Sequence, residues 1–346
     1  MRPRNIAIGA MFAFVVLVAV YYARGGGDAK PLPGPALRDL GKQRGIEVGT
    51  AVRGDVLERN RAYRQVVAAQ FSTVTPENEM KWDAVEPKRG EFDFGPADDI
   101  VGRAKDAGQK VRGHTLVWHA QLPDWVKQLG PEDLRQALRE HIRRVMEHFA
   151  KDVGVWDVVN EPITDQGGLR QSVFQRRLGP GFIEDAFRTA RAADSDAKLY
   201  LNEIGAEGIN PKSNRLYEIV RDLKSRGVPI DGVGFQTHAN LNGLPADMVA
   251  NMRRFRALGL DVAITEADVA LKLPPSAADL EAQANVYAQI VRNCLAADCR
   301  SLTFWGFTDG RSWISETQAG MGAATLLDES LRPKPAFTAV QQALAG

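Results

Sequence analysis

Short apolar runs alternate with longer amphipathic runs along most of this chain. Eight runs have the length and the apolar or β-branched composition of strands: Glu47 to Ala51, Phe71 to Thr75, Val111 to Trp118, Val155 to Asn160, Lys198 to Asn202, Gly232 to His238, Val262 to Glu266 and Ser301 to Phe307. Helix-like segments between them include 131–150, 214–226 and 279–295. This pattern predicts an α/β protein, a closed (β/α)8 barrel of the TIM type. An open dinucleotide-binding sheet is disfavoured because no GxGxxG motif follows the first strand.

The N-terminus carries an export segment. Arg2 and Arg4 precede an uncharged, mostly apolar run over residues 6–23. A helix of about 18 residues is about 27 Å long, near the lower limit for crossing a bilayer. Cleavage near Ala23 would place the bulky Tyr21 where a small residue is preferred, which favours an uncleaved anchor over a cleaved signal peptide. The chain is expected to face the extracytoplasmic side of a membrane, or to be periplasmic or secreted if the segment is cleaved.

The remaining chain divides into a linker and one domain. Residues 25–35 are rich in Gly and Pro, as in a spacer, and residues 36–346 show no further shift in composition. We expect residues 1–24 to be the signal or anchor and residues 36–346 to be a single, monomeric catalytic domain. The net charge of +1 provides no field that would attract nucleic acid, so a neutral substrate is favoured.

Polar and aromatic residues lie at the predicted ends of the strands, which is where barrel enzymes place their chemistry. The candidates by strand are Glu77, Asn78 and Lys81 after strand two, His114 and Trp118 in strand three, Asn160 and Glu161 at strand four, Gln236 and His238 at strand six, Glu266 and Asp268 at strand seven, and Trp305 and Trp313 at and after strand eight. We expect these side chains to meet at one mouth of the barrel.

Glu161 and Glu266 would face each other across that mouth, as the two carboxyl groups of a glycosidase do. One carboxyl group protonates the leaving oxygen, and the other attacks or stabilises the anomeric carbon. Hydrogen bonding keeps a carboxylate ionised, and His238 is the candidate donor to Glu266, with Asp268 beside it in support. The residues alone leave the stereochemistry and the identity of the sugar open.

Tryptophans beside paired carboxylates indicate stacking platforms for pyranose rings. The candidates at or just beyond strand ends are Trp82, Trp118, Trp305 and Trp313, whereas Trp125 and Trp156 are interpreted as packing residues.

The histidine spacing argues against a metal site. His114 and His119 are five residues apart on a strand and point in opposite directions, and His141 and His148 fall in a helical segment as surface or core-edge residues. No metal and no cofactor are expected.

At these residues the sequence resembles glycoside hydrolase family 10, the endo-β-1,4-xylanase family. The similarity extends from about residue 47 to residue 313. The stretches that carry it, in order, are FSTVTPENEMKW (71–82), RGHTLVWHAQLPDW (112–125), WDVVNEP (156–162), GFQTH (234–238), ITEADV (264–269) and WGFTDGRSW (305–313).

The resemblance implies a retaining endo-acting hydrolase of xylan, with Glu161 as the acid/base and Glu266 as the nucleophile. It also implies a set of residues that hold sugars or orient the carboxylates: Glu77, Asn78, Lys81, His114, Trp118, Gln121, Asn160, Gln236, His238, Trp305 and Trp313. Asn160 would bond the 2-hydroxyl of the sugar that is cleaved. The family commonly has a cysteine pair that matches Cys294 and Cys299, so a disulfide is expected over the alternative of two reduced thiols.

Two positions depart from the family pattern. Ala120 replaces a usual serine, and Ile204 stands where an aromatic residue is usual, so weaker contacts are expected on the aglycone side of the cleft. Hydrolysis of short xylo-oligosaccharides or mixed β-glucans is the alternative activity. A non-catalytic polysaccharide-binding barrel is the alternative of a different class.

Overall fold

The computed structural model of the chain describes residues 27–346. The predicted export segment, residues 6–23, lies outside these residues. Among the residues that are described, no helix combines the length and the apolarity needed to span a bilayer.

Within residues 27–346, ten strands form one sheet. They are β1 (Glu47–Val52), β2 (Thr73–Pro76), β3 (Lys110–Trp118), β4 (Val153–Asn160), β5 (Lys198–Glu203), β6 (Gly232–Phe235), β7 (His238–Asn240), β8 (Asp261–Lys272), β9 (Ser301–Phe304) and β10 (Met321–Gly322). The strands β1 to β6, β8 and β9 close into a parallel barrel, because β9 pairs with both β8 and β1. The short strands β7 and β10 extend the pairing of β8 beyond the barrel.

Helices cover the outside of the barrel. They are α1 (Leu37–Gln43), α2 (Gly54–Arg59), α3 (Arg61–Gln70), α4 (Trp82–Val85), α5 (Gly95–Asp106), α6 (Asp124–Gln128), α7 (Pro131–Phe149), α8 (Val173–Leu178), α9 (Gly181–Ala193), α10 (Pro211–Ser225), α11 (Met248–Arg256), α12 (Ala277–Ala296), α13 (Trp313–Thr317) and α14 (Pro335–Ala345). The predicted (β/α)8 barrel is confirmed, and each of the eight predicted strands overlaps a barrel strand.

The helix α7 shows how the sequence attaches helices to the barrel. Proline at its first turn fits the helix start, since that position needs no backbone N–H donor, and acidic residues follow it there. Leu134, Leu138, Ile142 and Val145 recur at helical spacing and are fully buried. Burial of each such side chain contributes about 1.5–3 kcal/mol, so packing rather than helix propensity holds this layer.

The segment before the barrel lies along its surface. The Asp28 carboxylate is 2.9 Å from the Arg61 guanidinium, and the Ala29 N–H donates to Gln65. Gln341 of α14 donates to the carbonyl oxygens of Pro33 and Pro35 at 2.8 Å. Residues 27–35 therefore bind to the domain although they form no helix or strand.

The expected disulfide is not present. Cys294 and Cys299 are free thiols, and both are buried. The Cys294 Sγ lies 3.8 Å from the Ser301 carbonyl oxygen, to which its thiol donates. Burial, together with the neighbouring Cys299, raises the pKa of the Cys294 thiol well above its ordinary value.

We expect neither thiol to react with an alkylating reagent in the folded protein, because only the exposed thiolate is nucleophilic. Both thiols should react once the chain is unfolded without reductant. Mass spectrometry of the alkylated protein would measure this, and an unfolded chain that takes up no reagent would show that the pair is oxidised.

Candidate active site

Glu161 and Glu266 lie at the C-terminal mouth of the barrel and are joined by a chain of side-chain amides. Glu161 directly follows β4, and its Oε1 accepts from Gln236 Nε2 at 3.0 Å. Gln236 also donates to Asn160 Oδ1 at 3.3 Å. Asn202 Nδ2 donates to that same oxygen at 3.0 Å and to Glu266 Oε1 at 2.7 Å. The two carboxylates therefore belong to one hydrogen-bonded network.

Asn202 is the member of this network that the sequence analysis missed. It is fully buried at the end of β5, where its Oδ1 accepts from the Thr265 hydroxyl at 2.7 Å. A Cβ atom at Gly234 would overlap Asn202 Oδ1, so glycine at that position makes room for the amide. Because Asn202 Oδ1 accepts from Thr265, the side-chain amide is oriented so that its Nδ2 donates to Glu266.

Glu266 is buried yet held in its ionised form. Burial raises its pKa, but the hydrogen bond from His238 and the charges of His114 and His238 outweigh burial and leave the pKa below its ordinary value. The His238 Nε2 lies 3.3 Å from Glu266 Oε2. An ionised carboxylate at this position is suited to attack an electrophilic carbon.

Asp268 fixes the orientation and the charge of His238. Its Oδ2 lies 2.9 Å from His238 Nδ1 and accepts from Trp313 Nε1 at 2.8 Å. Burial lowers the pKa of His238, but the Asp268 and Glu266 carboxylates raise it well above its ordinary value. The imidazolium is thus stabilised on both sides by carboxylates.

Replacement of His238 by asparagine should move the acid limb of the pH profile to higher pH. The variant loses the positive charge and the donor that depress the pKa of Glu266, and activity falls as pH drops through that pKa. The dependence of kcat/KM on pH reports the free enzyme and would measure this. His148→Asn on the outer face of α7, where His148 contacts Asp98, is the matched control. An unchanged acid limb in His238→Asn would contradict the role of His238 in lowering the pKa of Glu266.

A second polar group lies at the end of β2. Lys81 Nζ donates to Gln121 Oε1 at 2.6 Å and to Asn78 Oδ1 at 3.2 Å, and it lies 4.8 Å from the centre of the Trp118 ring. Burial lowers the pKa of Lys81, an effect that Glu266, Glu77 and Glu161 oppose. The group therefore places a cation beside amide oxygens, an arrangement that can bind the hydroxyl groups of a sugar.

Glu77 adjoins this group. Burial raises its pKa to about 7, against the lowering effect of Arg53 and Lys81. A carboxyl group with such a pKa can accept a hydrogen bond from a sugar hydroxyl and, when protonated, donate one.

Aromatic side chains line the same mouth. The Trp305 and Trp313 rings are 6.5 and 4.9 Å from the His238 ring, and Trp305 is 5.2 Å from the His114 ring.

His114 Nδ1 lies 3.0 Å from Asp157 Oδ2, and Asp157 also forms a buried ion pair with Arg112. The Arg112 and Asp157 pair, which the sequence analysis did not identify, fixes the orientation of the His114 ring.

The prediction that Trp82 provides a sugar platform is wrong. Its ring is 2% exposed and stacks on His141 with 3.9 Å between ring centres, and its Nε1 donates to Glu86. The short helix α4 begins at Trp82 and turns the ring into the core. His141 is fully buried against Glu86, deeper than the predicted surface or core-edge position.

The described part of the chain, residues 27–346, contains no group of three or more His, Cys, Asp or Glu side chains placed to hold a metal ion.

Paired carboxylates among aromatic side chains at the C-terminal mouth of a (β/α)8 barrel define a glycoside hydrolase. The chain belongs to glycosyl hydrolase family 10, whose family model matches residues 36–343. Endo-1,4-beta-xylanase B from Thermotoga neapolitana is 40% identical over 313 residues, which cover 88% of this chain and 90% of that protein.

Solved structures of similar sequence have the same fold as this chain. Native xylanase 10B from Thermotoga maritima is 42% identical with a TM-score of 0.87, covering 89% of this chain and 98% of that one. Xylanase 10B from Thermotoga petrophila RKU-1 in complex with xylobiose is 40% identical with a TM-score of 0.87, covering 91% and 98%. The predicted family membership is confirmed.

Proposed function

We propose that this protein is an endo-1,4-β-xylanase that cleaves xylan with retention of configuration. The observation that carries the proposal is the amide network that joins Glu161 to an ionised Glu266 inside an aromatic cleft. The names of the relatives support xylan as the substrate and the β-1,4 bond as the linkage that is cleaved, since the similar proteins are endo-1,4-beta-xylanases.

In the first step, the Glu266 carboxylate attacks the anomeric carbon of the bound xylose. The bond from that carbon to the glycosidic oxygen breaks, and its electron pair stays on the oxygen, which takes the proton of Glu161. The part of the substrate that carries the protonated oxygen leaves, and the xylosyl group stays bound to Glu266 as an ester. His238 and Asn202 are the donors that keep the Glu266 carboxylate ionised and oriented for attack.

In the second step, Glu161 acts as a base. It removes a proton from a water molecule, whose oxygen attacks the anomeric carbon from the side opposite to Glu266. The ester bond breaks, Glu266 leaves as a carboxylate, and Glu161 is protonated again for the next cycle. Two inversions at one carbon give retention.

The remaining predicted site residues form the glycone half of the cleft. Asn160 would bond the 2-hydroxyl of the cleaved sugar, an interaction that strengthens in the transition state. Glu77, Asn78, Lys81 and Gln121 would hold the next sugar toward the non-reducing end. Trp118, Trp305 and Trp313 would stack on or enclose these sugars.

Time-resolved product analysis on unsubstituted and side-chain-bearing xylan tests the proposal with the full-length protein. An endo-hydrolase releases a ladder of intermediate lengths early, before short products dominate. Release of single sugars from chain ends, or activity only on mixed β-glucans, would overturn the proposed specificity. Binding without release of reducing ends would favour a non-catalytic barrel.

We infer from the apolar run at residues 6–23 that the chain is exported and stays anchored by this segment. The enzyme would then act on oligosaccharides at the membrane surface. Intact mass and N-terminal sequencing of the protein from the membrane fraction of its native cells test this. A mature chain that begins near residue 24 would show that the segment is cleaved.

A further inference from the structure

Glu161 occupies a backbone conformation that needs support. Its φ is +53°, in the left-handed region, which is unfavourable for a residue other than glycine. Such a conformation persists only where surrounding contacts enforce it. At Glu161, the backbone N–H donates to the Asn202 carbonyl at 2.9 Å, and the carbonyl accepts from Arg170 Nε at 2.9 Å.

A buried carboxylate lies directly behind this turn. Glu203, at the end of β5, is 0% exposed, and its Oε2 accepts from the Ile163 N–H at 3.1 Å. Its Oε1 accepts from the Ile204 N–H at 3.1 Å and lies 3.2 Å from the Lys212 ammonium group. The contact with Ile163 ties Glu203 to the chain two residues after Glu161.

The contacts of Glu203 suit a carboxylate, because all of its partners are hydrogen-bond donors. Two backbone N–H groups and one ammonium group all donate, so a proton on Glu203 would find no acceptor among them. Burial raises the pKa of Glu203 to about 8, an effect that Lys212 opposes and Glu161 increases. Lys212, only 2% exposed and also 3.1 Å from Asp165, is the cation that opposes this rise.

The geometry points to Glu203, paired with Lys212, as a positioning residue that holds the acid/base Glu161 in the orientation needed to protonate the leaving oxygen. Glu203 touches neither the substrate nor the reacting atoms in this role. The inference rests on the proposed function, because it assigns Glu203 a part in the proton transfer that Glu161 performs.

The dependence of the rate on the leaving group separates this role from a general structural one. Xylotetraose releases an alkoxide that must be protonated, whereas an aryl xylobioside releases a nitrophenolate that needs no acid. A displaced acid therefore lowers kcat/KM, which reports formation of the glycosyl ester, for the first substrate only. A misplacement of about 1 Å can cost about 100-fold in rate, so a marked selective loss is expected.

The test compares Glu203→Gln with the wild type in kcat/KM on both substrates. We expect a fall of about 30-fold or more for xylotetraose and less than about threefold for the aryl xylobioside. Lys212→Met should show the same selectivity, and Lys212→Arg should restore most of the xylotetraose activity. These two variants keep the test decisive if Glu203→Gln does not fold.

Asp309→Asn is the matched control, because Asp309 forms a largely buried ion pair with Lys334 and bonds Thr325 outside the Glu161 turn. It should lower the thermal midpoint without leaving-group selectivity. An equal fall on both substrates for Glu203→Gln and Lys212→Met, or no fall on either, would overturn the inference while wild-type xylotetraose cleavage still supported the proposed function. Absence of wild-type cleavage would instead reject the proposed function.

Discussion

Glu266→Gln should lower kcat on xylan by about 10⁵-fold, because the amide cannot form the glycosyl ester on which both steps depend. The substitution keeps the volume of the side chain and leaves Asn202 and His238 in place around it. Binding of xylotetraose, measured by calorimetry, should stay within about threefold of the wild type, since the glycone contacts made by other residues remain.

Glu86→Gln provides the matched control for this variant. Glu86 is also a buried glutamate bonded to a histidine, His141, but it lies in the core beneath Trp82. We expect its variant to lose thermal stability and to retain kcat. Near-normal turnover in Glu266→Gln, with the purified protein free of contaminating xylanase, would remove Glu266 from the mechanism.

Glu161→Ala should lower kcat/KM on xylotetraose by about 10³-fold, within the range that general acid catalysis supplies. An aryl xylobioside should still form the glycosyl ester, because its leaving group needs no proton. Breakdown of that ester would then be slow for lack of a base. Azide, a small anion that needs no base, should raise kcat on the aryl substrate and yield a β-xylobiosyl azide.

The product with azide makes this experiment specific to the acid/base role. A β-configured azide requires attack on an ester whose own configuration is inverted, so it also reports on Glu266. Equal loss on both substrates together with no response to azide would contradict the assignment of Glu161.

The barrel was predictable because its signal repeats along the chain. Eight apolar runs separated by amphipathic segments leave few alternatives, and the helix α7 lies within one residue of its predicted bounds at both ends. The mouth was predictable for a related reason. Parallel strands bring their C-terminal ends together, so Glu161, Glu266 and His238 were expected to be neighbours from their strand positions alone.

Side-chain direction was less predictable. Strand parity places His114 and Trp118 on one face, but the pairing of β3 with β4 is irregular between His114 and Val117, and Thr237 has a φ of +64° between Gln236 and His238. Such irregularities redirect side chains and leave little trace in a period-two pattern. The prediction for Trp82 was wrong for a similar reason, because the single helical turn of α4 points its ring into the core instead of into the cleft.

The supporting residues were missed because their function depends on contacts between strands. Asn202 ends a strand that was correctly predicted, so the strand-end rule that selected Asn160 could also have selected it. Glu203 and Lys212 carried no such signal, since a glutamate and a lysine nine positions apart more often lie on a solvated surface. Only the structure shows that both are buried and that they meet behind Glu161.

Proton NMR of xylohexaose during the first minutes of cleavage by the wild-type enzyme is the sharpest test of the double displacement. We expect cleavage at internal bonds and new reducing ends that appear first as the β anomer, followed by slow mutarotation to the α anomer. Initial appearance of the α anomer would contradict the double displacement through Glu266. Absence of internal cleavage would contradict the proposed endo-xylanase itself.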